Sequence, residues 1–232
     1  MTCGTVLRIE SLDLSVEPFE WAFAREHGAE IDAHFQAQRR DKPGLWNGRV
    51  LLMHRHEIDG TCLRGRYFET DFASFMAWRD FGFPDPNIRN CFALGALQGS
   101  DGGYVLGVMS GGTANAGKIY FPGGTPDPND VTGQRVDLEA SVRREVQEET
   151  GLSAEEFDVD DAWHCVPAGP LIGLLKPMRA PDTAEGLADR IRAHIGSDPD
   201  PELADAFVAR GPADIHSMMP EFIQTFLRSQ VP

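Results

Sequence analysis

Glu145, Glu148 and Glu149 are the residues whose type and spacing invite chemistry. They fall in Arg144-Glu145-Val146-Gln147-Glu148-Glu149-Thr150-Gly151-Leu152, where the Glu, Gln and Arg content and the closing Gly151 predict a helix. On a helix the three glutamates stand at i, i+3 and i+4 and share one face. Like charges at that spacing oppose the helix by roughly a few tenths of a kcal/mol per pair, so a helix that keeps them raises the question of what neutralises them. A hard divalent cation does so most simply, because carboxylate oxygens suit Mg²⁺ or Mn²⁺. Such ions keep several waters and bridge to substrate phosphates. An isolated acidic helix face is more often plain solvated surface, and the neighbouring residues decide between the two readings.

Those neighbours are Phe121-Pro122-Gly123-Gly124 before the helix, an apolar segment before that, and Thr150-Gly151-Leu152 after it. Together they resemble the Nudix hydrolase family. Its box reads Gly, five residues, Glu, seven residues, Arg-Glu-aliphatic-any-Glu-Glu-any-Gly-aliphatic. The second half is matched at every specified position from Arg144 to Leu152. The first half departs from the pattern. Val136 stands where the first glutamate belongs, and Gly124 lies twelve residues before Val136 rather than six, so the loop carries an insertion. Pro126-Asp127-Pro128-Asn129-Asp130 within it reads as turn chemistry, and Asp137 as the N-cap of the helix.

The resemblance implies an α/β fold: a Nudix α/β/α sandwich around a central mixed β-sheet over 89–232, preceded by a smaller α+β lobe over 1–88. It implies a hydrolase that uses Mg²⁺ or Mn²⁺ to cleave the diphosphate of a nucleoside diphosphate linked to another moiety, such as a nucleotide sugar. Glu148 and Glu149 are then metal ligands, and Glu145 a ligand or the base that orients the attacking water. Arg144 holds the carboxylates in register. The Gly123 carbonyl would complete a coordination shell, and Gly124 lets the backbone approach substrate. A further glutamate from a later loop joins the site in many members. Glu202, between Pro201 and Leu203, is the candidate here, and capping the segment after it is the plainer alternative. The alternatives in function are an ADP-ribose- or CoA-type pyrophosphatase, and a catalytically weak Nudix fold that senses a nucleotide. Self-association as a homodimer is also implied by the resemblance alone.

Ser110-Gly111-Gly112-Thr113-Ala114-Asn115-Ala116-Gly117-Lys118 is glycine-rich and ends in a cation, but Lys118 is not followed by Ser or Thr, so it is no Walker loop. Lys118 meets a substrate phosphate or is simply solvated. Trp46, Trp78 and Phe83 stack on a base or fill the N-terminal lobe, with packing the commoner use of large aromatics.

The elements that must position these residues follow from periodicity. Trp21, Ala24, Ile31 and Phe35 predict helix from Phe19 to about Arg40 with an interruption at Gly28. Val50 to Met53 and Cys62 to Phe68, parted by Asp59-Gly60, predict a β-hairpin, and 72–81 a short amphipathic helix. Phe92 to Leu97 and Tyr104 to Met109 read as paired strands of the core. Trp163 to Val166 and Leu171 to Leu175 read as a later pair, 183–195 as a helix, Glu202 to Val208 as a short helix or strand, and Glu221 to Leu227 as a terminal helix. The first 17 residues alternate only loosely.

The chain has 232 residues, 21 Lys and Arg against 36 Asp and Glu, and a net charge of −15. Such a balance argues against partners that want a basic patch, nucleic-acid polymers and anionic membranes, but not against a small phosphate ester held through a metal. Cys3, Cys62, Cys91 and Cys165 show no Cys-x-x-Cys spacing, so neither a zinc ribbon nor a disulfide framework is expected. Charges at Arg8, Glu10, Asp13 and Glu17 break any signal-peptide core, no membrane-length apolar run exists, and the cytoplasm is the expected location.

Overall fold

The computed structural model describes residues 4–230. The chain opens with two strands, β1 (Leu7–Ile9) and β2 (Ser11–Val16), then two helices, α1 (Ala22–Glu26) and α2 (Gly28–Asp41). The hairpin β3 (Arg49–Asp59) and β4 (Cys62–Asp71) leads into α3 (Phe72–Asp80). Next come β5 (Asn90–Gln98), β6 (Tyr104–Met109) and four short strands: β7 (Ile119–Tyr120), β8 (Gly123–Gly124), β9 (Val131–Thr132) and β10 (Arg135–Val136). Helix α4 (Leu138–Thr150) is followed by β11 (Asp158–Val159), β12 (Trp163–Ala168), β13 (Leu171–Arg179), α5 (Ala184–Ser197), β14 (Leu203–Ala209) and α6 (Glu221–Ser229).

The larger sheet runs β1-β12-β13-β5-β6-β14, with β11, β7 and β8 attached beside β13, β6 and β5. β13 and β5 are parallel over their whole length, from Leu171 opposite Asn90 to Arg179 opposite Gln98, and the remaining pairs are antiparallel, so the sheet is mixed. β5 is apolar on both faces, as a central covered strand must be. Cys91, Ala93 and Leu97 pack with Val142 and Val146 of α4 and Leu187 and Ile191 of α5. Phe92, Leu94 and Ala96 pack with Phe222, Ile223 and Phe226 of α6. Helices therefore cover both faces, an α/β/α sandwich.

The second sheet runs β3-β4-β2-β10-β9. Val50 and Leu52 face the lobe's own core of Trp21, Ile31, Phe35, Phe68 and Trp78, whereas Leu51 and Met53 join the core that holds Cys91 and Val142. The sheets trade strands across residue 88. β1 pairs with β12 of the larger sheet, and β9 and β10, from the insertion that follows Gly124, close the smaller one. Residues 7–9 and 11–16, within a stretch ambiguous by pattern, are thus strands of the larger and the smaller sheet, and the insertion is what links the lobe to the core.

Of the expected elements, the long N-terminal helix is broken at His27, one residue before Gly28, and 203–209 is a strand. Asp137 caps α4 through a bond from the Ala140 N–H at 3.1 Å. Cys91 and Cys165 are buried free thiols and Cys62 is half-buried, while Cys3 lies outside the described residues. Among the described residues no helix is long and apolar enough to cross a membrane.

Candidate active site

Leu138, Val142 and Val146 repeat every four residues and bury one stripe of α4 against the sheet. This fixes the helix rotation. Glu145 and Glu149 follow the stripe on one side and Glu148 projects further out, its side chain 60% exposed against 24% for Glu145. The lobe, the loop from Ser110 to Asn115 and the Gly123-Gly124 strand enclose a cleft of about 920 Å³ with Glu145 and Glu149 in its wall. A smaller recess of about 220 Å³ adjoins it, lined by Glu145, Glu148, Glu149, His194, Asp198, Asp200, Pro201 and Glu202. Glu145, Glu149, Asp200 and Glu202 border both.

Glu149 is fixed by the Gly123 N–H, which donates to its Oε1 at 2.9 Å. Gly123 adopts φ 129°, and a Cβ there would lie 2.4 Å from the Ala93 carbonyl oxygen. Only glycine combines that backbone with that approach. Glu202 sits just ahead of β14. Its carbonyl accepts from the Ser110 N–H at 2.8 Å, so the acidic loop after α5 and the glycine-rich loop after β6 share an anchor.

Arg144 lies behind the glutamates. Its Nη1 donates to Glu145 Oε1 at 2.5 Å and to Glu148 Oε2 at 3.2 Å, and its Nη2 to Asp130 Oδ1 at 2.9 Å. Asp130 is buried, and its other oxygen accepts from the Asp127 N–H at 3.0 Å in the capping box of a single 3₁₀ turn, Pro128–Asp130. Partial burial opposes the guanidinium charge, but Asp130, Glu145 and Glu148 together raise its pKa and keep it protonated. The insertion therefore supplies a buried carboxylate that holds Arg144, while Val136, at the place of the missing glutamate, is core.

The electrostatics mark this pole as undercompensated. Burial first, then Glu202, Glu145 and Glu148, push Glu149 up to about 8 against the pull of the Gly123 N–H. Burial also raises Glu145, to about 7, with Arg144 opposing and Glu148, Glu202 and Asp130 adding to the rise. Glu202, exposed at the cleft mouth yet partly stripped of water by its walls, is raised by that loss of hydration and then by Glu148, Asp198 and Asp200. Carboxylates crowded with too little countercharge are the environment a bound cation relieves. Among the described residues no three His, Cys, Asp or Glu side chains stand close enough to hold a cation as they are, and Arg144 is bonded to both Glu145 and Glu148. The donors are all hard oxygens, which fits Mg²⁺ or Mn²⁺.

The structure thus brings Glu145, Glu148, Glu149 and Glu202 together at one recess, with Gly123 and Gly124 beside them and Arg144 behind. Lys118 stands apart: it is exposed at the exit of its loop, outside the set that lines the cleft, where the lobe contributes Lys42 instead. The sequence reading passed over Asp130, Asp198 and Asp200. The last two belong to Asp198-Pro199-Asp200-Pro201-Glu202, whose acidic residues alternating with prolines were a visible signal.

No family model matches the sequence, and no curated protein matches it significantly. Among solved structures it is similar to Deinococcus radiodurans DR0079 (14% identity, TM-score 0.39, covering 72% of this chain and 85% of that one). It is also similar to a MutT protein from Methanosarcina mazei Go1 (16%, 0.37, 61% and 92%) and to RenU, a Nudix hydrolase from M. smegmatis (16%, 0.37, 60% and 81%). At these values the likeness is remote.

Proposed function

We propose that this chain is a Nudix-type hydrolase that cleaves, with a divalent cation, the diphosphate of a nucleoside diphosphate linked to another moiety. The observation that carries the reading is the convergence of Glu145, Glu148, Glu149 and Glu202 on one recess at the base of a cleft of about 920 Å³. That cleft falls within the size range of small-molecule sites, roughly 300–1,000 Å³.

Glu145, Glu148 and Glu149 would hold Mg²⁺ or Mn²⁺, which when bound supplies charge neutralisation for the diphosphate and acidifies a coordinated water. The chain's own groups do the positioning. The Gly123 N–H fixes Glu149, and Arg144, braced on Asp130, sets the spacing of Glu145 and Glu148. Glu202 lines the same recess, and the loss of hydration and the neighbouring carboxylates raise its pKa, which makes it a stronger base toward an attacking water than an ordinary glutamate.

The test is a panel of nucleoside diphosphate derivatives incubated with Mg²⁺ or Mn²⁺ and assayed for release of nucleoside monophosphate. Release that vanishes with chelator supports the reading. A second reading, a nucleotide sensor that does not cleave, is favoured by the engagement of Glu145 and Glu148 by Arg144. Saturable binding across the panel with no release would select it.

A further inference from the structure

The cleft is chemically polarised. One end carries the acidic recess, and the other is the lobe wall, built from Trp46, Phe72, Phe75 and Phe83. The sequence put Trp46, Trp78 and Phe83 on equal footing, and the structure separates them: Trp78 is fully buried, whereas Trp46 is 80% exposed and Phe83 half-buried, both at the cleft. The indole of Trp46 is seated on its own chain. A Cβ on Gly48 would lie 2.5 Å from Trp46 Cζ3 and 2.8 Å from Cε3, so the absence of a side chain there lets one face of the ring lie against the backbone. The other face is left to the cleft.

Phe83 is the only non-glycine at positive φ (61°) among the described residues, a conformation that costs a bulky side chain strain. It is held there by its N–H donating to the Trp78 carbonyl at 2.8 Å and by its ring standing edge-on to Trp78, with centroids 4.7 Å apart. The cations in this wall are largely occupied: Arg49 pairs with Glu69 and Arg79 with Asp80. Lys42 reaches across the cleft mouth to the Thr113 carbonyl. A sugar asks for many free polar side chains, which this wall lacks. A flat ring asks for an exposed aromatic face, which Trp46 offers.

We infer that the lobe wall is a base-stacking subsite, in which the free face of Trp46 takes the planar ring of the substrate's nucleoside half. The inference rests on the hydrolase reading for the placement of the diphosphate, but its test does not need turnover. Trp21, Trp78 and Trp163 are buried, so Trp46 is the one exposed indole and reports its own environment.

The full chain is titrated in Mg²⁺ with nucleoside monophosphates and, separately, with glucose 1-phosphate, reading tryptophan fluorescence. Saturable quenching by the nucleotides alone, lost in Trp46→Ala, is expected. If hydrolysis is found, Trp46→Ala should raise KM about tenfold or more with little change in kcat, and Trp46→Phe should restore most of it. Absent quenching, equal quenching by the sugar phosphate, quenching retained in Trp46→Ala, or an unchanged KM would each overturn the subsite. Quenching without release from any diphosphate would leave the subsite standing and remove the hydrolase, and release with an unchanged KM would do the reverse. Because Trp46 is exposed, its replacement should leave the melting temperature where it is.

Discussion

The two ends of α4 carry the same chemistry to opposite ends. At its N-terminal half Glu139 meets Arg143 at 2.9 Å and the buried Lys176 at 3.0 Å. Lys176 also donates to the Asp161 carbonyl and lies 4.6 Å from the centre of the Trp163 ring. Burial alone would raise the Glu139 pKa, yet the two cations bring it below the usual value. Thirteen residues of helix contain both this compensated acid and, near the other end, Glu145 and Glu149 with raised pKa values. Charges matched inside the chain hold a structure together, and charges left unmatched wait for something from outside it.

The comparison breaks most sharply under Glu149→Gln. Removing one carboxylate from the recess should cut metal-dependent hydrolysis by about 100-fold or more while leaving thermal stability equal or higher, because a repelling charge is lost. Activity near wild type would take Glu149 out of the mechanism. At the opposite end, Lys176→Ala should cost about 2–3 kcal/mol by denaturant melting, from the cavity and the loss of the ammonium that Glu139 and the Asp161 carbonyl share. Lys176→Met, which fills the space, should recover most of that loss, and both should keep kcat per folded molecule. A large kcat defect in Lys176→Met would show that the two ends are not independent.

Asp130→Asn tests the join between insertion and site. Arg144 is about a third open to water, so the stability loss should be modest, about 1 kcal/mol, whereas activity should fall about tenfold or more as Glu145 and Glu148 lose their braced partner. Stability and activity falling in proportion, with the metal requirement unchanged, would reduce Asp130 to a packing residue. The smallest effect concerns pH. Glu145 and Glu149 titrate higher in the fold than at their ordinary value of 4.5, so the folded chain holds protons that the unfolded chain has released. That stabilisation is complete below about pH 4.5 and is lost as pH rises through about 7 and 8. Metal-free protein should therefore melt lower at about pH 8.5 than at about pH 6, by about 1 kcal/mol, and Mg²⁺ should restore more at the higher pH. A metal-free protein that gains stability over that range would contradict it.

Much of the site was legible because local rules carried it. The i, i+3, i+4 glutamates, the Asp137 cap and the closing glycine are helix chemistry, and the short apolar runs of β5 and β6 needed no tertiary knowledge. What stayed hidden depends on chain segments meeting. Asp130 reads as a turn residue until Arg144, fourteen positions later, is seen beside it. β1 and β2 are too short and mixed in character to declare themselves, and their partners, β12 and β4, lie far along the chain. Trp46 lies in a glycine-flanked loop and Trp78 on an apolar helix, but whether either ring meets the cleft or the core depends on what packs over it, and only the fold separates the surface ring from the buried one.

The central claim is most directly tested by calorimetric titration of the protein with Mn²⁺ at about pH 8. Saturable binding in the wild type that is strongly weakened in both Glu148→Gln and Glu149→Gln, with Glu139→Gln unaffected, is the result expected from unmatched acids at one end of α4 and matched ones at the other. No binding, or equal binding in all four proteins, would contradict it.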